Sequence, residues 1–173
     1  MDDYLYILDL LRQGDLEALD ALRKIEPSFP DGTDPYLNIS WILHTISEGS
    51  IASIKWILRQ GLDLNFRDAS GETPLHTALE LDAEDRYGVI ELLIEAGADV
   101  NLKGGNDWTP AHHAAARNDV KALTLLVDHG ADLSIKTSID DYTTPLEEAK
   151  LLSKHVNCSD AIAYLESLEA SDA

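Results

Sequence analysis

The sequence contains a single cysteine, Cys158, among 173 residues. A disulfide within the chain is therefore impossible, which suits a reducing compartment such as the cytoplasm. No run of residues approaches the roughly 18 apolar residues that span a membrane. The start of the sequence, Met1-Asp2-Asp3, is acidic, whereas a signal peptide begins with basic residues. We therefore expect a cytoplasmic protein without a membrane segment.

Basic residues are also scarce. Lys and Arg number 13 against 32 Asp and Glu, a formal net charge of −19. Residues 1–65, 66–145 and 146–173 carry −6, −9 and −4, so the acidity is not confined to a tail. Such a field opposes direct binding to nucleic acid or anionic membranes and attracts basic partners. Simple solubility is the other interpretation of the same charge.

Motifs typical of catalytic and metal sites are missing. The sequence has no H-E-x-x-H, C-x-x-C, G-x-S-x-G or phosphate-binding glycine motif, and no D-x-D-x-D-G calcium loop. Its densest carboxylates include Glu147-Glu148 and Asp140-Asp141, but neighbouring carboxylates are expected in so acidic a chain. We predict no catalytic residues, no cofactor and no metal.

The sequence does contain a repeated phrase. Thr109-Pro110-Ala111-His112-His113-Ala114 matches Thr73-Pro74-Leu75-His76-Thr77-Ala78, with weaker echoes at Leu43-His44-Thr45 and Thr144-Pro145-Leu146. A second phrase, Gly-Ala-Asp, recurs at 97–99 and 130–132. The spacing from Asn101 to Ser134 is 33 residues, and from Thr73 to Thr109 it is 36.

Each phrase contains residues that are typical of a helix end. Proline is tolerated in the first turn of a helix, where its missing N–H would be unpaired anyway. The preceding threonine is placed to cap that helix. Gly97 and Gly130 are placed to end the second helix of each unit, where a left-handed residue is needed. The phrases therefore predict a repeating pair of helices.

A T-P-L-H-x-A phrase with a period near 33 residues resembles the ankyrin-repeat family. The resemblance implies an all-α solenoid of stacked helix-turn-helix units joined by short β-hairpin loops, with five helix pairs. We expect one domain over residues 1–173 and a monomer when free. Its units are expected to be an N-terminal capping repeat (1–30), three repeats (34–65, 66–101 and 102–134) and a C-terminal capping repeat (135–169).

The N-terminal third fits the pattern least well. A helix is predicted over residues 3–12, with Leu5, Leu8 and Leu11 on one stripe. A second helix is predicted to be lined by Leu16, Leu19, Leu22 and Ile25. The proline-rich loop 26–38 is either a plain spacer or a rigid binding loop. Trp41 is expected in the core, and Trp56 is expected to pack on the convex face.

The histidines have two interpretations. His44, His76 and His112 recur at one motif position, so a metal ladder is conceivable. The resemblance instead implies structural hydrogen bonds from this histidine to the neighbouring hairpin and to the threonine hydroxyl. His113 is expected to point outward, at a position that varies within the family.

Trp108 stands directly before Thr109-Pro110. The resemblance places it at the base of a hairpin on the concave face, and exposed tryptophan is favoured at binding hot spots. Alternatively, it packs on the insertion in its own hairpin.

By the same resemblance, the hairpin tips and first helices form a candidate partner-binding surface comprising Arg67, Asp68, Glu72, Thr77, Glu80, Leu81, Asp107, Trp108, His113, Arg117, Asp141, Tyr142 and Thr143.

These observations predict a stand-alone, non-enzymatic module that binds another protein through a concave acidic face. The partner is expected to carry a basic patch. An inhibitor or immunity protein that neutralises a toxin or effector is one refinement, and a surface that mimics nucleic acid is another. A scaffold or adaptor is the alternative among binding proteins. An enzyme or small-ligand binder in the concave groove is the alternative of another class.

Overall fold

The computed structural model describes residues 2–82, 85–138 and 142–171. Within them the regular elements are helices, with one isolated β-bridge between Thr33 and Ser40 and a short 3-10 turn at Gly105–Asp107. The predicted all-α class is confirmed. The helices are α1 (Asp2–Gln13), α2 (Leu16–Leu22), α3 (Trp41–Glu48), α4 (Ile51–Leu58), α5 (Pro74–Leu79), α6 (Arg86–Glu95), α7 (Pro110–Ala116), α8 (Val120–Asp128), α9 (Pro145–Leu152) and α10 (Ser159–Ser171).

The helices stack in two rows. The odd-numbered helices α1, α3, α5, α7 and α9 contact one another in sequence, and so do the even-numbered helices. Each odd helix also packs on the even helix that follows it. The result is a solenoid, because each helix pair buries its apolar face against its neighbours in the stack. No helix in the described part of the chain is both long and apolar enough to cross a bilayer.

The repeated phrases form the helix ends as predicted. The hydroxyls of Thr73, Thr109 and Thr144 accept hydrogen bonds from the backbone N–H three residues on, at 3.4, 3.5 and 3.3 Å. Gly97 and Gly130 follow α6 and α8 with φ of +105° and +87°, a conformation that side-chain-bearing residues rarely adopt. The threonines therefore fix where α5, α7 and α9 begin, and the glycines fix where α6 and α8 end.

The apolar core lies between the two rows. Leu93 of α6 and Leu123 and Leu126 of α8 are fully buried. Facing them in the odd row are small residues such as Ala78 and Ala115, which are equally buried. Small side chains in one row let the helices of the two rows approach closely.

Two predictions about the N-terminal helices are wrong. Leu5 is half exposed, while Ile7, Leu8 and Leu11 are buried. Leu5 and Leu11 are six residues apart, which places them about 120° apart around a helix, so they cannot share a narrow stripe. Ile25 is 78% exposed, because α2 ends at Leu22.

The two N-terminal tryptophans are both interior. Trp41 is buried in the core, as predicted. Trp56, in the even row, is only 5% exposed. Its ring stacks on Phe29 with centroids 5.7 Å apart, and its Nε1 donates to Asp20 at 2.9 Å. The proline-rich loop that carries Phe29 therefore packs against α4.

Candidate functional site

The hairpins before α5, α7 and α9 are each closed by a backbone hydrogen bond. Asp68 N–H donates to the Glu72 carbonyl at 2.9 Å, and Gly104 N–H donates to the Trp108 carbonyl at 2.6 Å. Thr137 N–H donates to Thr143 at 2.9 Å. Each candidate residue at a hairpin base is therefore held in place by main-chain bonding.

Side chains also tie neighbouring hairpin tips together. Arg67 Nε donates to the Lys103 carbonyl at 2.7 Å. Lys103 Nζ in turn bonds to Asp107 at 2.8 Å and to Ser138 at 2.9 Å. Burial alone would raise the pKa of Asp107, but the bonds from Lys103 and Ser138 outweigh it and lower that pKa. Arg67 and Asp107 thus help to make the tips rigid.

His76 and His112 form the predicted hydrogen bonds, whereas His44 bonds to the Asp34 carboxylate instead. Nδ1 of His76 lies 2.8 Å from the Thr73 hydroxyl, and its Nε2 lies 3.1 Å from the Trp108 carbonyl. His112 repeats both contacts, with Thr109 at 2.8 Å and the Thr143 carbonyl at 2.9 Å. His76 and His112 therefore each link their own repeat to the next hairpin.

Burial keeps these histidines neutral. It lowers the pKa of His76 to about 4, and the neighbouring His113 adds to the effect. Burial also lowers the pKa of His112, although its bond to the Thr143 carbonyl works the other way. Among the described residues, no three His, Cys, Asp or Glu side chains are grouped so as to hold a metal ion.

His113 does not point outward, and that expectation is wrong. Its side chain is buried, with its ring stacked on His76 at a centroid distance of 5.9 Å. The Trp108 ring lies 6.3 Å away, and Glu80 Oε1 lies 3.6 Å from His113 Nε2. Burial lowers the pKa of His113 despite the opposing charge of Glu80. The His113 ring therefore packs against the Trp108 ring.

Trp108 is half-buried, and its ring packs beside His113 rather than standing free in solvent. The exposed Glu80 lies 3.6 Å from the same His113 ring. Arg117, whose backbone N–H donates to the His113 carbonyl, is exposed and lies 3.8 Å from Asp82. We call Trp108, Glu80, Asp82 and Arg117 the tryptophan surface. It combines one aromatic face with two carboxylates and one guanidinium group.

Glu72 is turned away from this surface. Its carboxylate lies under the next hairpin, where a Cβ on Gly105 would displace it. Burial, and then the charge of Glu80, raise the pKa of Glu72. Its Oε2 is buried without a hydrogen-bond partner. Glu72 is therefore packed between hairpins rather than on the tryptophan surface.

The remaining predicted partner-binding residues differ in their exposure to solvent. Thr143 is buried, and its hydroxyl donates to Glu148 at 2.5 Å. Tyr142 is exposed, with φ of +53°. Asp141 lies outside the described residues. The partly buried candidates are Asp68, whose carboxylate accepts bonds within its own hairpin, Thr77, which bonds to the Thr73 carbonyl, and Leu81, which packs against the core.

The structure also draws attention to residues that sequence reasoning missed. Asp34 is buried and bonds to His44, and the loop that follows exposes Leu37 and Ile39. The sequence does indicate this site, because large apolar residues at 36, 37 and 39 are unusual in a proline-rich loop that only connects two helices.

Comparison with known proteins places the fold in a family. A model of three ankyrin-repeat copies matches residues 10–104, and a model of many copies matches 83–127. The ankyrin repeat domain of Bcl-3 has a similar structure, with a TM-score of 0.61 at 24% identity, covering 74% of this chain and 51% of that one.

Curated relatives show the same repeats in longer proteins. Putative E3 ubiquitin-protein ligase XBAT34 of Arabidopsis thaliana is 37% identical over 111 residues, 63% of this chain and 28% of that protein. RelA-associated inhibitor of Mus musculus is 30% identical over 130 residues, 75% of this chain and 15% of that protein. This chain belongs to the ankyrin-repeat family, whose fold typically serves as a non-enzymatic protein–protein interaction module.

Proposed function

We propose that this chain binds a partner protein bearing a basic patch and inhibits it by covering that patch. The observation that carries the proposal is the tryptophan surface, where the half-buried Trp108 packs on His113 and the Glu80 carboxylate lies 3.6 Å from the same histidine. Aromatic anchors contribute strongly to binding when a partner covers them fully. The chain's net charge of −19 supports a basic partner, because complementary charge speeds association.

The rigidity of the surroundings supports a binding role. His113 packs against the Trp108 ring, and the hairpin hydrogen bonds fix the Trp108 backbone. Arg67 and Lys103 join adjacent hairpin tips. A surface held in this way loses little conformational freedom on association, so more of the contact energy appears as affinity. Exposed Arg67, Arg117 and Tyr142 extend the candidate contact area around Trp108.

Inhibition is the more specific part of the proposal. One relative is named RelA-associated inhibitor, and an acidic repeat domain is suited to cover the basic site of an enzyme or toxin, as an immunity protein does. In this proposal the free chain is a cytoplasmic monomer, which light scattering and cell fractionation would test. It does not bind nucleic acid directly, because its field repels phosphates.

An adaptor is the second candidate. In relatives named as ubiquitin-protein ligases, the matching repeats are 28% or less of the protein. That arrangement favours a recognition module whose partner stays active after binding. The two candidates differ in what happens to the partner's activity.

The deciding experiment starts with the partner captured by the tagged chain from its native cells and identified by mass spectrometry. The purified partner's activity is then measured while the chain is titrated in. Loss of activity at one equivalent supports inhibition, and full activity in a stable complex supports the adaptor. An association rate that does not fall as salt is raised would exclude the basic patch.

A further inference from the structure

A second surface lies at the N-terminal end of the hairpin row. A groove of about 790 Å³ opens between residues 31–40 and residues 60–69. Leu37, Ile39 and Phe66 contribute apolar surface to its walls, and the buried Ile42 also lines it. Elsewhere the tips touch directly, as at Arg67 and Lys103. The groove therefore separates the first hairpin from the rest of the row.

Two large apolar residues of this groove are exposed. Leu37 is 60% exposed and Ile39 37% exposed, and the adjacent Tyr36 is exposed as well. Leu37 and Ile39 form an apolar patch along the groove, whereas the Tyr36 ring packs against Tyr4, with centroids 5.8 Å apart. Such patches on a soluble protein mark interaction sites more often than single exposed apolar residues do.

The loop is held in this conformation by a buried carboxylate. Asp34 accepts hydrogen bonds from the backbone N–H of Tyr36 at 2.8 Å, Leu37 at 2.7 Å and Ile39 at 3.0 Å. The His44 ring bonds to the same carboxylate at 2.9 Å. The main chain adds a bond from Asp34 N–H to the Ile39 carbonyl at 2.9 Å. The exposed side chains are thus presented by a fixed backbone.

The rim of the groove is acidic. Asp31, Asp63 and Asp68 line it, with Arg67 as the one basic residue among its lining residues. The Arg67 side chain already donates to the Lys103 carbonyl. An apolar floor within an acidic rim fits a segment with large apolar side chains between positive charges.

We propose that this groove binds a short segment of a partner protein, in which one or two large apolar side chains are flanked by Lys or Arg. The apolar side chains lie between Leu37 and Phe66, and the flanking cations face Asp31 and Asp63. The site is separate from the tryptophan surface and does not depend on it.

The test uses synthetic peptides and the full chain labelled with ¹⁵N. The probe is a short peptide with Leu and Phe between lysines. Two comparison peptides replace the lysines with Glu or the apolar pair with Ser. Binding is followed by NMR shift changes and by fluorescence titration. The expected result is binding of the first peptide alone, with shifts concentrated at residues 31–42 and 60–69.

Matched variants of exposed residues identify the groove without threatening the fold. Leu37→Ser should weaken peptide binding about tenfold, whereas Val156→Ser, at another exposed apolar residue, should not. Asp63→Asn should also weaken binding, and Asp132→Asn should not. Asp63 and Asp132 accept equivalent backbone bonds two residues on, at 2.8 and 2.9 Å, which asparagine can keep.

The outcomes separate this proposal from the function proposed above. Absence of binding, equal binding of the glutamate peptide, or insensitivity to Leu37→Ser would each overturn the groove proposal. Shifts confined to Trp108 and Arg117 would overturn it too, while favouring the tryptophan surface. Binding in the groove would stand even if Trp108→Ala left partner affinity unchanged.

Discussion

The ring Nε2 of His76 donates to the main-chain carbonyl of Trp108, 3.1 Å away in the following hairpin. Its Nδ1 faces the Thr73 hydroxyl at 2.8 Å. In the equivalent His112, Nδ1 also accepts from the Thr109 backbone N–H at 3.2 Å. An imidazole that accepts at one nitrogen and donates at the other must be neutral. The stacking of the repeats is therefore linked to histidine protonation.

Stability should fall with decreasing pH because of these rings. The folded pKa of His76, about 4, lies below the ordinary value of 6.5. The unfolded chain thus takes up a proton first, so stability is full above pH 6.5 and declines towards pH 4. At about 1.4 kcal/mol per pKa unit, the loss from His76 amounts to roughly 3 kcal/mol. Urea titrations between pH 7.5 and 4.5 would measure it.

Substitution of the ring tests that assignment. His76→Gln should be less stable at pH 7.5, but its stability should fall less steeply with decreasing pH. His155→Gln, which changes an exposed histidine, should keep the parent's pH dependence. Parallel curves for the parent and His76→Gln would show that other groups cause the pH effect.

The core between the two helix rows should be sensitive to cavities. Leu93 is fully buried in α6, so Leu93→Ala should reduce the free energy of unfolding by about 2–5 kcal/mol. Val156→Ala, at an exposed site, should change it by less than about 0.5 kcal/mol. Chemical denaturation followed by circular dichroism would compare the two. Similar small values for both would contradict the packing described here.

Asp34 should be important for stability at neutral pH. Burial alone would raise its pKa, but the bonds from His44 and three amides outweigh it and lower the pKa to about 2. The contribution is therefore full above about pH 4 and is lost as pH falls towards 2. Asp34→Ala should cost about 3 kcal/mol at pH 7. Asp31→Ala, at an exposed carboxylate nearby, is the control, and an equal cost in both would refute the role of Asp34.

Loss of Trp108 should affect the partner more than the fold. Trp108→Ala should weaken binding by about 2 kcal/mol, mainly through faster dissociation. Tyr6→Ala removes an exposed aromatic of α1 and should bind normally. Trp56→Ala is not a suitable control, because Trp56 is buried against Phe29. Surface plasmon resonance with the purified partner would measure both rates, and unchanged dissociation in Trp108→Ala would remove Trp108 from the site.

Local sequence patterns predicted the helix ends well. The caps at Thr73, Thr109 and Thr144 and the turn at Gly97 depend on residues within a few positions of each other. Such interactions can be recognised from the repeat phrase alone. The histidine bonds to the next hairpin were predictable only because the phrase resembles a known family.

The environment of His113 could not be predicted in this way. Its position within α7 indicates only which way the side chain leaves the helix. Burial comes from His76 in the preceding repeat and from Trp108 in the adjoining hairpin. The loop bonded to Asp34 was not predicted either, because its partner His44 belongs to the same repeat but lies ten residues further on, in α3. Contacts between repeats depend on stacking geometry, which one repeat's sequence does not specify.

The histidine bonds run in one direction along the solenoid, and this gives the stack a polarity. His112 donates forward to the Thr143 carbonyl, which also accepts from Thr137. Removing His112 would leave that carbonyl with its other donor. Truncation after residue 134 would instead remove the acceptor of the His112 imidazole together with α9, which packs against α7. A histidine of this kind is therefore bonded at both ring nitrogens only when the repeat that follows it is present.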